Sequence, residues 1–381
     1  MSRRQFIKIL TAGGVMAVLT ACDGMPESAL VPWLGPDQRV LDPRLRALTW
    51  ALLAPNPHNL QAWVADVRTP GEISLLVDTR RLLPETDPFG RQVLIGCGAF
   101  LELLRMASSH EGYRAEIELM PLGHYTQTQL DQRPFARVRL HQDRTLAGDA
   151  LFAAVRLRRT HRSVYTTTPP QAAALAALRL TAEAAGITLG CTVEPEQVKR
   201  INAMALQGCR IEFGTAETWQ ESANSLRLGA QEVAAEPSGT AVLGTEVWLA
   251  RKSGLLDHAA LRDPKGIGAT RALQAMTTLL TSGTPAWVWL SSADNSRMAQ
   301  LEAGRSYLRL CLQATLLGLA LHPNSQVLQE FAQMRTLLSQ VHAELGLANP
   351  ARLQMLVRIG YAADTTATPS PRRPLSSLLR A

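Results

Sequence analysis

The chain has 381 residues, with 39 Lys and Arg against 32 Asp and Glu and a net charge of +7. That length suits one large domain or two intimate ones with ample core, and a mild basic excess without a dense Lys/Arg run gives no electrostatic footprint for nucleic acid. The cysteines form no C-x-x-C pair, the eight histidines make no H-E-x-x-H and no G-x-S-x-G occurs. Metalloprotease and serine-hydrolase patterns are therefore excluded, and Cys97, Cys191, Cys209 and Cys311 read as free, buried thiols, not as a disulfide set or a metal site.

The first 22 residues read as an export signal. Ser2-Arg3-Arg4-Gln5-Phe6-Ile7-Lys8 is a charged start, Ile9 to Leu19 a short apolar core, and small residues lead to Cys22. The core falls short of the roughly 20 residues a membrane-spanning helix needs. Paired arginines with Phe two places on resemble the bacterial twin-arginine signal. Leu19-Thr20-Ala21-Cys22 resembles a lipoprotein box, in which the cysteine sulfur is acylated after cleavage. Cleavage there removes 21 residues, including Arg3, Arg4 and Lys8, and leaves 360 residues with a net charge of +4. Residues 23–42, with Pro26, Pro32 and Pro36, read as a tether from the membrane.

A first half spans 43–147. Leu45, Leu48 and Leu52 at helical spacing predict a helix over 44–53, and Pro55-Asn56-Pro57-His58-Asn59 a loop. Residues 72–78 read as a strand and 98–108 as a buried helix. Residues 115–119 and 136–140 alternate strictly, the half-buried strand pattern common in antiparallel sheets. A second half spans 148–381. Helices are predicted over 148–159, 171–185 and most of 196–234, a central strand over 285–290 and a long buried helix over 302–321. The less regular stretch 239–268 could form a lid. Helices and strands mixed in both halves indicate α+β.

Neither Gly96-x-Gly98 nor Gly266-x-Gly268 continues as a dinucleotide-binding G-x-G-x-x-G. Three other segments point to one chemistry. They are Ala54-Pro55-Asn56-Pro57-His58-Asn59-Leu60-Gln61-Ala62-Trp63, Arg158-Arg159-Thr160-His161-Arg162 and Ser370-Pro371-Arg372-Arg373-Pro374. The set resembles the nitroreductase-like flavoprotein superfamily, whose members carry a P-S-x-x-N-x-Q-P-W loop, an R-x-S-x-R segment and basic residues near the C-terminus. The loop precedes the arginine segment here. With Thr86-Asp87-Pro88-x-Gly90-Arg91 and Gly96-Cys97-Gly98-Ala99-Phe100-Leu101, that order resembles the Acg subfamily, in which two nitroreductase-like halves are fused in one chain.

The resemblance implies a pseudo-dimeric nitroreductase-like fold, a monomer holding one FMN. Hydride passes through flavin N5 from a reduced nicotinamide or other donor to a nitro- or quinone-type acceptor. No dedicated general acid or base is implied, so the catalytic residue is unknown. By resemblance Arg158, Thr160 and Arg162 face the FMN phosphate and ribityl chain, and Arg372 and Arg373 also reach the phosphate. Pro55, Asn56, Pro57 and Asn59 border the flavin, Gln61 and Trp63 fix that loop against the sheet, and Pro323-Asn324-Ser325-Gln326 lies near N5. A phosphate with nearly two negative charges needs such cationic, preferably bidentate, partners. Two alternatives remain: a non-catalytic flavin-binding or flavin-sequestering protein, and a lipoprotein binding module without flavin.

Overall fold

The computed structural model describes residues 23–183, 186–364 and 367–380; the signal segment, with Cys22, lies outside the described residues. The first half runs α1 (Pro43–Ala51), β1 (Trp63–Asp66), β2 (Glu72–Val77), α2 (Arg91–His110), β3 (Tyr113–Leu119) and β4 (Pro134–Gln142). Asp42 caps α1 by accepting from the Arg44 N–H, with Pro43 at the first helical position. Both Asp87 carboxylate oxygens serve the start of α2, accepting from the Gln92 and Val93 N–H groups. The strands pair antiparallel in the order β1-β2-β4-β3.

The second half begins with α3 (Ala172–Ala182) and β5 (Ile187–Thr192). An insert follows: α4 (Pro195–Gly214), α5 (Ala216–Asn224), β6 (Leu226–Leu228), α6 (Gly229–Ala235), β7 (Thr240–Val242), α7 (Thr245–Lys252), α8 (His258–Arg262) and α9 (Ile267–Ser282). The half then closes with β8 (Ala286–Ser292), α10 (Arg297–Leu316), β9 (Ala320–Pro323), α11 (Arg335–Glu344) and β10 (Arg352–Gly360). Its sheet is antiparallel in the order β5-β8-β10-β9.

Each half thus places its first, second, fourth and third strands side by side, with a 20-residue helix between the second and third. These two helices, α2 and α10, pack against one another at the centre. A Cβ on Gly98 would strike the Leu301 carbonyl oxygen, and one on Gly304 would strike that of Ile95. Gly98 and Gly304 occupy the same place in their helices, so a local pseudo-twofold axis passes through the crossing. The helices also trade core residues. Leu301, Leu308 and Leu312 of α10 join the first half's core, and Ile95 of α2 joins that of the second sheet. A third core, around Phe213, Trp219 and Trp287, lies beneath the insert. The fold is α+β, and among the described residues no helix is long and apolar enough to cross a membrane.

Several elements differ from the sequence expectations. The helix expected over 148–159 is a single 3-10 turn, Ala150–Ala154, because Leu157 finds no apolar partner and stays 64% exposed. The helix α2 begins at Arg91, seven residues early, because Gly96 and Gly98 serve close packing and not a break. The helix expected over 302–321 ends at Leu316, where Gly318 takes a left-handed conformation and the chain turns into β9. The stretch 239–268 holds one short strand and two short helices. Cys97, Cys209 and Cys311 are buried free thiols, whereas Cys191 is half-buried.

Residues 23–42 do not hang free as a tether. The Asp23 carboxylate accepts from the Ala230 and Gly244 N–H groups. Trp33 donates to the Ser370 carbonyl, and Arg372 N–H donates to Ala29. The C-terminal tail in turn crosses to the first sheet and lies along the free edge of β1, exchanging backbone bonds at Ala65 with Leu378 and Arg380.

Candidate functional site

The α1–β1 connection is the start of the site. Within it His58, Asn59 and Gln61 all have positive φ (47°, 55° and 55°), an uncommon conformation for residues with a Cβ. Such backbone persists only where its surroundings over-determine it, and the hydrogen bonds do so. Asn56 accepts from the Gln61 N–H at 2.8 Å and donates to Ala54. Asn59 donates to Gly239 and Pro371, both at 3.0 Å, and accepts from the Arg372 guanidinium at 2.6 Å. The fully buried Gln61 donates to Pro237 and accepts from the Arg373 N–H. His58 Nδ1 is 3.0 Å from Ser225 Oγ. Pro57 rests on Gly96 of α2, where a Cβ would press against its ring at 3.0 Å. The insert and the C-terminal tail therefore clamp the loop from two sides. Both asparagine side chains are occupied in holding it, and below it the Trp63 ring of β1 lies tilted against Phe100 of α2, centroids 4.6 Å apart.

The arginine segment meets this loop from the other side. Arg158 is buried and donates to the Leu53 carbonyl at 3.2 Å. Arg372 is buried as well, and donates to the same carbonyl at 3.3 Å and to Ala54. Two guanidiniums thus converge on one carbonyl oxygen. Burial, then the charges of Arg158 and Arg159, hold the Arg372 pKa well below its usual range. Arg162 keeps more than a third of its surface open to water, yet protein encloses it closely enough for burial to lower its pKa. Thr160 lies half-buried between the two arginines in the chain, and Arg159 stacks on Trp33 at 4.7 Å.

Sequence reasoning missed further members. Arg358 on β10 is fully buried, bonds the Ser163 carbonyl and lies over the Tyr165 ring at 4.0 Å. It pairs in register with His322 on β9. A lone arginine inside the apolar run Leu353–Ile359 was the available signal. Burial first and the Arg162 charge second lower the His58 pKa to about 4; the same causes, with Arg358, push His322 well below its ordinary value. The cluster also carries unpartnered buried polar atoms: Arg372 Nε, Arg358 Nε and Nη1, His161 Nδ1, Ser163 Oγ and His322 Nδ1. Among the described residues no carboxylate forms an ion pair with Arg158, Arg162, Arg358 or Arg372. Uncompensated cations with free donors fit a bound dianion, such as the phosphate of FMN.

Not every expected residue joins the cluster. Arg373 points away from Arg372 and donates to the Gln61 and Ser377 carbonyls. Asn324 is buried with its N–H committed to Leu356 and its side-chain Oδ1 unpartnered. Among the described residues, no group of three or more His, Cys, Asp or Glu gathers to hold a metal.

Two Mycobacterium tuberculosis proteins, each provisionally named an NAD(P)H nitroreductase, match most of the chain. One is 28% identical over 341 residues, covering 87% of this chain and 89% of its own. The other, acg, is 28% identical over 344 residues, covering 87% and 93%. Among solved structures, the FMN-dependent nitroreductase NfnB from Mycobacterium smegmatis in complex with NADPH is 20% identical. It covers 60% of this chain and 96% of its own, with a TM-score of 0.39. Iodotyrosine deiodinase bound to FMN and 3-iodo-L-tyrosine is 12% identical, covering 59% and 94%, with a TM-score of 0.34. No family model matches the chain.

Proposed function

We propose that this protein is an FMN-binding oxidoreductase of the nitroreductase-like type. The observation that carries the reading is the convergence of Arg158 and Arg372 on the Leu53 carbonyl, neither of them ion-paired among the described residues. Likeness over 87% of the chain to proteins named nitroreductases supports it. When bound, the flavin supplies hydride transfer from a reduced nicotinamide or other donor to a nitro- or quinone-type acceptor.

The chain's own groups bind and orient. Arg158, Arg162 and Arg372 hold the phosphate, with Arg372 Nε and Arg358 Nη1 as spare donors. Thr160 supplies a hydroxyl. His58 and His322 stay neutral near pH 7 and add no further charge. Pro57 and the strained backbone around it form the wall on the first half's side. Asn56, Asn59 and Gln61 hold that wall in place. The test is the visible spectrum of the chain after incubation with FMN and gel filtration. A retained flavin spectrum that Arg158→Gln with Arg162→Gln abolishes is expected. Equal retention by that double variant removes the cluster from the site.

The clamp on the loop by Ser225, Pro237 and Gly239 favours a second reading, a protein that holds flavin and restricts access to it. Steady-state assay with NADH or NADPH and a nitro or quinone acceptor separates the two. Bound flavin without turnover selects the second.

The same proposal places the protein outside the cytoplasm, folded before export and acylated at Cys22. Because Asp23 is pinned to α6 and to the start of α7 through Ala230 and Gly244, a lipid on Cys22 would hold the body directly against the membrane. Cys22→Ala should move the protein from the membrane to the soluble fraction. The internal pseudo-twofold supports a monomer, to be checked by light scattering.

A further inference from the structure

A second cationic cleft lies beside the loop, with none of Arg158, Arg162, Arg358 and Arg372 in its lining. Its volume is about 530 Å³, and it opens where the turn at 80–83, the insert at 221–227 and the C-terminal tail meet. Leu60, Leu82 and Leu83 give it apolar walls, and four guanidiniums, of Arg80, Arg81, Arg227 and Arg373, line it. Two of these have no carboxylate partner among the described residues. Arg373 donates only to the Gln61 and Ser377 carbonyls, and Arg227 to the Asn224 and Leu226 carbonyls and, at 3.4 Å, to Ser238 Oγ.

The nearby carboxylates are already held. Glu221, on the wall, accepts through both oxygens from the Glu85 and Thr86 N–H groups and the Thr86 hydroxyl. Glu236 is held by Arg81 and Ser238, and Asp78 by Arg80 and Arg81. Among the described residues neither Arg227 nor Arg373 is ion-paired; Glu236 acts on both from a distance, with Glu232 on Arg227 and Asp78 on Arg373, and these carboxylates are engaged elsewhere. A concave site with apolar walls and a few converging charged groups is the form of a small-molecule site, and unpaired guanidiniums select phosphate by charge and by paired N–H geometry.

We propose that this cleft binds a phosphate-bearing small molecule with an apolar body, its phosphate between Arg227 and Arg373. The site is distinct from the arginine cluster: neighbouring residues Arg372 and Arg373 serve opposite sides of the same tail. It is also mechanically joined to it. The Arg373 N–H bonds Gln61, which bonds Pro237, and Arg372 bonds Asn59 in the same strained loop. The proposal does not rest on the flavin reading.

Calorimetry with inorganic pyrophosphate and with ADP on the full chain, before and after FMN loading, tests it. Pyrophosphate should bind one per chain in the FMN-loaded protein, and ADP more tightly because the flat face of its adenine can pack on the leucine walls. Arg227→Gln should weaken both by at least about tenfold, the loss of one charged hydrogen-bonding group. Arg80→Gln, at a side chain 82% exposed but paired with the buried Asp78, should weaken them by a smaller factor, with folding checked by circular dichroism. Arg158→Gln with Arg162→Gln should keep one pyrophosphate site per chain, with the affinity seen in the FMN-loaded parent. Absence of binding to the parent chain overturns the proposal, as does undiminished binding in both Arg227→Gln and Arg80→Gln. Loss confined to the Arg158/Arg162 variant places the anion in the other cluster and overturns it as well.

Discussion

Arg158 and Arg372 share the Leu53 carbonyl, and that arrangement opposes stability and ligand binding to one another. Like charges gathered in a low-dielectric interior repel, and a buried charge without a partner is costly. An arriving dianion offsets both terms. Arg158→Gln, which forfeits a single hydrogen bond, should therefore raise the thermal midpoint of the flavin-free chain. It should also weaken FMN affinity by about tenfold to a hundredfold, read by fluorescence titration. A fall in both would remove the idea of stored repulsion. His58 sets a pH dependence by the same logic. Burial first, and the Arg162 charge second, bring its folded pKa to about 4, whereas the unfolded chain takes up a proton near 6.5. The unfolded state thus binds more protons between these values, so stability present above pH 6.5 is lost as pH falls towards 4. Urea unfolding of the flavin-free chain at pH 7, 6 and 5 should show this decline, and His58→Gln should flatten part of it.

At the scale of elements, the crossing of α2 and α10 depends on two glycines. Gly98→Ala and Gly304→Ala each set a methyl against a carbonyl oxygen of the facing backbone, which cannot move as a side-chain tip can. Each should cost about 2–4 kcal/mol in urea unfolding. Gly214→Ala, with nothing within 4 Å of its Cβ, should change stability by less than about 0.5 kcal/mol. The helices, the alternating strands and the antiparallel sheets were legible in sequence because period 3.6 and period 2 are local properties. The boundaries of α2 were not. Glycine reads locally as a helix breaker, and only the facing helix reveals why two of them stand inside one. The 3-10 turn at 150–154 was missed for the same kind of reason, since the apolar face suggested by Leu151, Ala154 and Val155 does not continue to a partner for Leu157.

Across the whole molecule the two halves match in strand order but not in their connections. The α1–β1 connection, residues 52–62, carries the strained loop; its counterpart between α3 and β5 is only residues 183–186. The short connection leaves no room for a second such loop, so saturated protein should hold one FMN per chain. The ratio of flavin absorbance to protein concentration measures this, and a ratio near two contradicts it. The N-terminal strap and the C-terminal tail then tie the halves together through Trp33, Arg372 and the edge of β1.

By itself the sequence determined the α+β class, the loop around Asn56 and Asn59, the arginine pair at 158 and 162 and the basic tail, because each rests on residue type and near-neighbour spacing. Tertiary structure alone decided that Asn56 and Asn59 hold the loop, that Arg372 turns to the cluster while Arg373 turns to a separate cleft, and that Arg358 and His322 join from β10 and β9. Apart from the local bonds of Asn56 and the β9–β10 register, these outcomes depend on contacts between residues well over one hundred positions apart. Such contacts exist only once two sheets, an insert and a returning tail have packed, and no local pattern encodes which side of a chain will face them.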